Sequence, residues 1–139
     1  MRPFPFINFK QSIILLRFLT AAIFILHAGF RIIYSTSGQF ADFLNSKGLP
    51  FGLQIVWLIT IFEIAGGVLL IAGKYVRLIT AGFILILLVG IILIHFSLGW
   101  FVGEHGTGGC EYSVILIGCL LVIAASHREN STVHNITKV

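Results

Sequence analysis

The sequence predicts an all-α protein, a transmembrane four-helix bundle with both termini in the cytoplasm. Three observations predict it. Of the 139 residues, 58% are hydrophobic and 10% are charged, against about 25% charged in an ordinary soluble domain. So little charge cannot clothe a globular surface in water, whereas lipid needs none. The apolar residues are gathered into four stretches separated by polar or glycine-rich connections. Threaded up and down through a bilayer, the chain places most of its lysines and arginines on one side. A single domain over 1–126 with a polar, unstructured tail over 127–139 accounts for the length.

The spans are expected at about 12–34, 51–72, 76–96 and 112–126. The first three reach the roughly 20 residues a helix needs to cross a hydrocarbon core of about 30 Å. The fourth is shorter, and the glycines before it start it within the interface. Lipid offers no partners for backbone N–H and C=O groups, so each span must be helical. Arg17 interrupts the first stretch and no clean small-residue cleavage site follows, so it reads as a retained helix and not a signal peptide. Ala65, Gly66, Gly67 and Gly73 in the second span, Gly82 and Gly90 in the third and Gly118 in the fourth would let helix backbones approach closely.

Orientation follows from the basic residues. Arg2, Lys10, Lys74, Arg77, Arg128 and Lys138 fall on one side, and Lys47 stands alone with Asp42, Glu104 and Glu111 on the other. The positive-inside rule puts the first side in the cytoplasm, which makes this a multi-pass protein of the cell's inner membrane. Tyr34, Trp57, Trp100, Phe101 and Tyr112 then lie toward the outer interface. In the first outer loop Phe40, Phe43 and Leu44 recur at helical spacing, as on a short interfacial helix, and Gly48 and Pro50 end it. The second, residues 103–109, is glycine-rich but lacks the lysine and the spacing of a phosphate-binding loop. The net charge of +4 is scattered, so no nucleic-acid footprint is present. Cys110 and Cys119 would sit roughly 13 Å apart along a helix, beyond the about 7 Å that a disulfide allows.

Ionisable groups inside a membrane are costly and mark function by default. The first span carries Arg17, His27 and Arg31, the second Glu63, the third His95, and Glu111 opens the fourth. Arg17, His27 and Arg31 share a sector of roughly 80° on one helix face. Glu63, near mid-depth, needs a cation or a proton. A Glu63–Arg17 bridge that only fixes helix register and a proton-handling carboxylate are both open readings. His27, Arg31, His95 and Glu111 should gather at the outer end, below Glu104 and His105. A polar pocket for the head of a small amphipathic molecule, a metal site and a haem between His27 and His95 compete there. The metal reading would draw on His95, His105, Glu104 and Glu111, but no ligand spacing supports it, and no metal is assigned. The haem reading suffers from the different depths of the two histidines. No serine elbow or Cys–His pair suggests a nucleophile.

Taken together, Leu16-Arg17-Phe18, His27-Ala28-Gly29-Phe30-Arg31, Phe40-Ala41-Asp42-Phe43-Leu44, Gly48-Leu49-Pro50, Phe62-Glu63-Ile64-Ala65-Gly66-Gly67, Gly73, Arg77, His95 and Gly109-Cys110-Glu111-Tyr112 form an ordered pattern. That pattern resembles the DoxX family over about residues 12–126. The resemblance implies a small four-helix membrane protein with cytoplasmic termini. It also implies quinone-coupled redox chemistry, such as thiosulfate oxidation with quinone as acceptor or terminal quinol oxidation, or a membrane role in oxidative stress beside soluble partners. Read as a quinone-linked redox membrane subunit, the chain has Glu63, His27 and Glu111 as catalytic, proton-handling candidates. Arg17, Arg31 and His95 are its candidates for holding quinone. Two alternatives stay open. One is a non-catalytic membrane scaffold or assembly factor for a soluble partner subunit. The other is a small-molecule transporter, which at this size would need a homo-oligomer.

Overall fold

The structure is a computed structural model and describes residues 4, 6–101 and 108–136, with side chains described as far as His127. Among the described residues five α-helices follow one another: α1 (Phe9–Ile33), α2 (Ser37–Ser46), α3 (Gly52–Ile71), α4 (Val76–Gly90) and α5 (Glu111–Ile136). Between α4 and α5 the backbone passes through a π-helical turn, Ile91–His95, and a 3₁₀ turn, Phe96–Leu98.

Local chemistry sets the helix ends. Asn8 caps α1: its side-chain oxygen accepts from the Gln11 amide at 2.9 Å, and the Gln11 side chain accepts from the Asn8 amide at 2.9 Å. This reciprocal box starts the helix three residues before the apolar run. Asn8→Ala is expected to cost about 1 kcal/mol and to fray only the first turn. Amide hydrogen exchange should then accelerate at Phe9 to Ser12 and stay unchanged beyond Arg17. Two residues with positive φ, Gly73 (72°) and Tyr75 (52°), turn the chain tightly from α3 into α4.

Among the described residues three helical runs are long and apolar enough to cross a membrane: Phe9–Ile33, Gly52–Ile71 and Val76–Leu98. The apolar part of α5, Glu111–His127, is shorter. Only 22%, 33% and 17% of the most apolar windows of the three long runs is buried. Most of their aliphatic and aromatic side chains face outward, which in water would be an untenable surface and in a bilayer is the ordinary one. The protein is therefore in contact with lipid.

Inward-facing residues from four helices make the main core: Ala21 and Phe24 of α1, Leu70 of α3, Val76, Ile79 and Phe83 of α4, and Leu120 and Ile123 of α5. Phe24 and Phe83 stack with ring centroids 3.9 Å apart, and Phe62 meets Phe83 edge-on at 5.3 Å. A smaller core joins Ala41 and Leu44 of α2 to Val56 of α3, so the short helix anticipated from Phe40, Phe43 and Leu44 lies packed on α3.

Glycines place the helices. A Cβ on Gly67 would press on the Ile25 side chain 2.6 Å away, one on Gly82 would enter the Phe62 ring, and one on Gly52 would meet the carbonyl oxygen of Ala41. These contacts are the close approaches that small residues permit. Gly90 and Gly118 have nothing within 4 Å of such a Cβ and do not serve that purpose.

At its far end α5 departs from the expected boundary. It continues to Ile136 through the polar stretch anticipated as an unstructured tail. Neither glycine nor proline occurs between Cys119 and Ile136, so nothing local ends the helix where its apolar face ends.

Candidate functional site

The deepest polar contact joins α1 to α3. These helices run antiparallel and their register is visible from side to side: Arg31 is level with Thr60 and Glu63, Ile25 with Gly67, and Arg17 with Gly73. Nη1 of Arg31 donates to Glu63 Oε2 at 2.9 Å and to Thr60 Oγ1 at 2.6 Å. The Thr60 hydroxyl in turn donates to the Val56 carbonyl at 2.7 Å, which leaves its lone pairs to receive Arg31. Arg31, Glu63 and Thr60 are all buried. The guanidinium also lies over the Phe40 ring, 5.4 Å from its centroid, which couples α2 to the pair.

One nitrogen of Arg31 thus carries both contacts. Its other N–H donors have no hydrogen-bond partner among the described residues. Arg31 lines a cavity of about 410 Å³ whose wall also includes Glu63, His27 and Phe40 on one side and Leu93, His95, Tyr112 and Ser113 on the other. The rest of its wall, which includes Ile23, Phe24, Leu44, Ile55, Ile59 and Leu116, is largely apolar. Ligand pockets commonly span about 300–1,000 Å³ and combine such walls with a few convergent polar groups.

The π-helical turn builds the far wall. Leu93, Ile94 and His95, the last three residues of that turn, line the cavity. Turns of this kind recur at functional sites. His95 Nδ1 is buried and has no hydrogen-bond partner among the described residues.

Of the residues singled out from sequence, Arg31, Glu63, His27 and His95 come together at this cavity. Arg17 does not. It lies beside Gly73, roughly ten residues or about 15 Å of helix rise from the level of Glu63. The bridge to Glu63 is therefore made by Arg31 and not by Arg17. The two arginines share a helix face, as the spacing predicts, but not a depth. Glu111 begins α5 immediately before Tyr112 and Ser113 and is not itself part of the wall. Glu104 and His105 lie outside the described residues. Among the described residues, no three of His, Cys, Asp and Glu cluster in a way that could hold a metal ion.

Thr60 was not singled out from sequence. It stands one turn before Glu63 on the same face of α3, and a hydroxyl at that spacing from an intramembrane carboxylate is the signal that would have found it.

A search of the curated proteins finds no match to this chain, and a search of the solved structures finds none. The family model for DoxX matches residues 12–96, more than half of the chain, and includes Arg31, Thr60, Glu63 and His95. This protein belongs to the DoxX family.

Proposed function

We propose that the protein is a quinone-linked redox subunit of the membrane. On this reading its four apolar helices cross the bilayer as a bundle with both termini in the cytoplasm, and the cavity receives a quinone head group. The observation that carries the proposal is the half-committed guanidinium of Arg31. It is held by Glu63 and Thr60 through one nitrogen, its remaining donors have no partner among the described residues, and Arg31 lines a largely apolar cavity of about 410 Å³. A quinone matches that wall: its carbonyl oxygens accept hydrogen bonds, and its ring and tail are apolar.

When bound, a quinone supplies two-electron, two-proton carbonyl chemistry. The chain's own residues would do the following. Glu63 and Thr60 orient Arg31, so the guanidinium reaches the site pre-aimed, and little rotamer freedom remains to be lost on binding. Arg31 donates to a carbonyl oxygen and stabilises negative charge as it develops there. His95, through its unpartnered Nδ1, and His27 exchange protons at the cavity wall. The aliphatic side chains exclude water from the head group and accommodate the tail. Electrons come from a partner protein that carries a redox centre.

The test is titration of the purified chain in lipid nanodiscs with a decyl-tailed benzoquinone. Saturable binding is expected. His95→Gln should weaken it about fivefold, the equivalent of one ordinary hydrogen bond. Arg31→Lys keeps the charge but loses the fork, and should weaken it by about tenfold or more. Affinities unchanged in both variants would place the quinone elsewhere.

A further inference from the structure

A second, smaller cavity of about 240 Å³ opens at the other end of α1, between that helix, the start of α4 and α5. Two cations line it, Lys10 and Arg17. They stand seven residues apart, which brings them to within about 20° of one another on one face of α1. The rest of the wall is mostly apolar and includes Ile13, Val76 and Ile123. No aspartate or glutamate is among its described lining residues.

Arg17 is half-buried and lies about 12 Å along the helix from the start of α1. It has neither a hydrogen bond nor an ion pair with any described residue. Its guanidinium rests against Gly73, where a Cβ would come within 3.0 Å of Nη1 and where φ is +72°. Glycine there both makes the turn and leaves room for the cation. Ser126 also lines the cavity, but its hydroxyl donates to the Ile123 carbonyl at 2.8 Å. His127 lines the cavity too but is not free, so the two cations are the groups left to recognise a ligand.

The fold thus sinks an arginine among apolar side chains at the edge of the membrane-spanning helices and supplies no counter-ion from the described residues. A charge in that position is costly unless an anion meets it. At that depth the available anions are lipid head groups, and basic pockets between transmembrane helices hold them. A guanidinium offers two parallel N–H donors to phosphate oxygens, while the neighbouring aliphatic wall suits an acyl chain. We propose that this cavity is a binding site for the phosphate of an anionic phospholipid, with Arg17 as its principal ligand and Lys10 as its second.

Native mass spectrometry of the full chain, released from nanodiscs of phosphatidylcholine containing a minority of phosphatidylglycerol, tests this. One phosphatidylglycerol should be retained in preference to phosphatidylcholine. Arg17→Gln should reduce that preference about fivefold, and the Lys10→Gln/Arg17→Gln double variant by about 25-fold. Lys10→Gln alone, at an exposed residue, should also cost about fivefold, and it keeps the test decisive if Arg17→Gln does not fold. Arg77→Gln, exposed and outside the cavity wall, should leave the preference intact. An equal loss in Arg77→Gln would mean diffuse attraction and overturn the site, as would an unchanged preference in Arg17→Gln. Displacement of the lipid by inorganic phosphate alone would assign the cavity to a soluble phosphate and overturn the lipid assignment.

Discussion

Arg31→Ala is expected to destabilise the protein by about 3 kcal/mol, because it leaves the Glu63 carboxylate buried without its cation. Two effects of different size compete at this position. A neutral hydrogen bond between transmembrane helices contributes only about 0.6 kcal/mol on average, so loss of the contact by itself would be minor. The larger cost is the orphaned charge. Glu63→Gln keeps an acceptor for Arg31 but leaves the buried guanidinium without its anion, and should also cost about 3 kcal/mol. The Arg31→Ala/Glu63→Ala double variant should be less destabilised than the sum of its two single variants, since neither charge then remains without its partner. Titration of the purified protein with a denaturing detergent, followed by helical circular dichroism, gives the comparison. Strictly additive costs would mean that the 2.9 Å contact carries no coupling.

The second large effect is expected at Gly52. A Cβ there would run into the carbonyl oxygen of Ala41, and the Asn45 side-chain oxygen that accepts from the Gly52 amide at 3.0 Å stands only 2.8 Å from the same point. Gly67 faces the flexible side chain of Ile25 and Gly82 faces the Phe62 ring, and both neighbours can swing. The backbone of α2 cannot yield without moving the whole helix. Gly52→Ala should therefore cost about 3 kcal/mol, the upper end of the usual range for overpacking. It should also carry Phe40 and Leu44 away from the cavity wall and weaken quinone binding. Gly118→Ala, with nothing within 4 Å, should be neutral or slightly stabilising, since alanine is the better helix former. The same detergent titration distinguishes the two, and equal effects would contradict the packing described.

Legibility in the sequence divides along physical lines. The long spans could be read because lipid imposes a length and excludes charge over that length, and α2 because Phe40, Phe43 and Leu44 repeat at helical spacing. The common face of Arg17, His27 and Arg31 was also legible, since it depends on nothing beyond the pitch of one helix. The partner of Glu63 was not, because it depends on the register between two helices. That register is set by contacts such as Ile25 against Gly67, which no single segment specifies. The π-helical turn that ends at His95 was not legible either, because Ile91–His95 holds no glycine or proline to announce it. The end of α5 is not legible from hydropathy, because loss of apolar character is not loss of helix, and polar residues without a breaker continue one.

Arg31 and Arg17 illustrate how one helix face can serve two ends of a membrane protein. At one end the protein supplies the anion, Glu63, and leaves donors over for a ligand. At the other the described residues supply none, and the proposed lipid takes that place. Substitutions at the two arginines should therefore separate cleanly, with Arg17→Gln leaving quinone affinity unchanged and Arg31→Lys leaving the bound phospholipid in place.

The central claim, that the cavity beside Arg31 and Glu63 holds a quinone, is tested most directly by native mass spectrometry of the protein extracted gently from its own membrane. The account predicts a co-purifying quinone in the wild-type protein, depleted in Arg31→Lys and retained in Arg17→Gln. A chain that emerges without quinone, or that keeps its quinone when Arg31 is replaced by lysine, would contradict it.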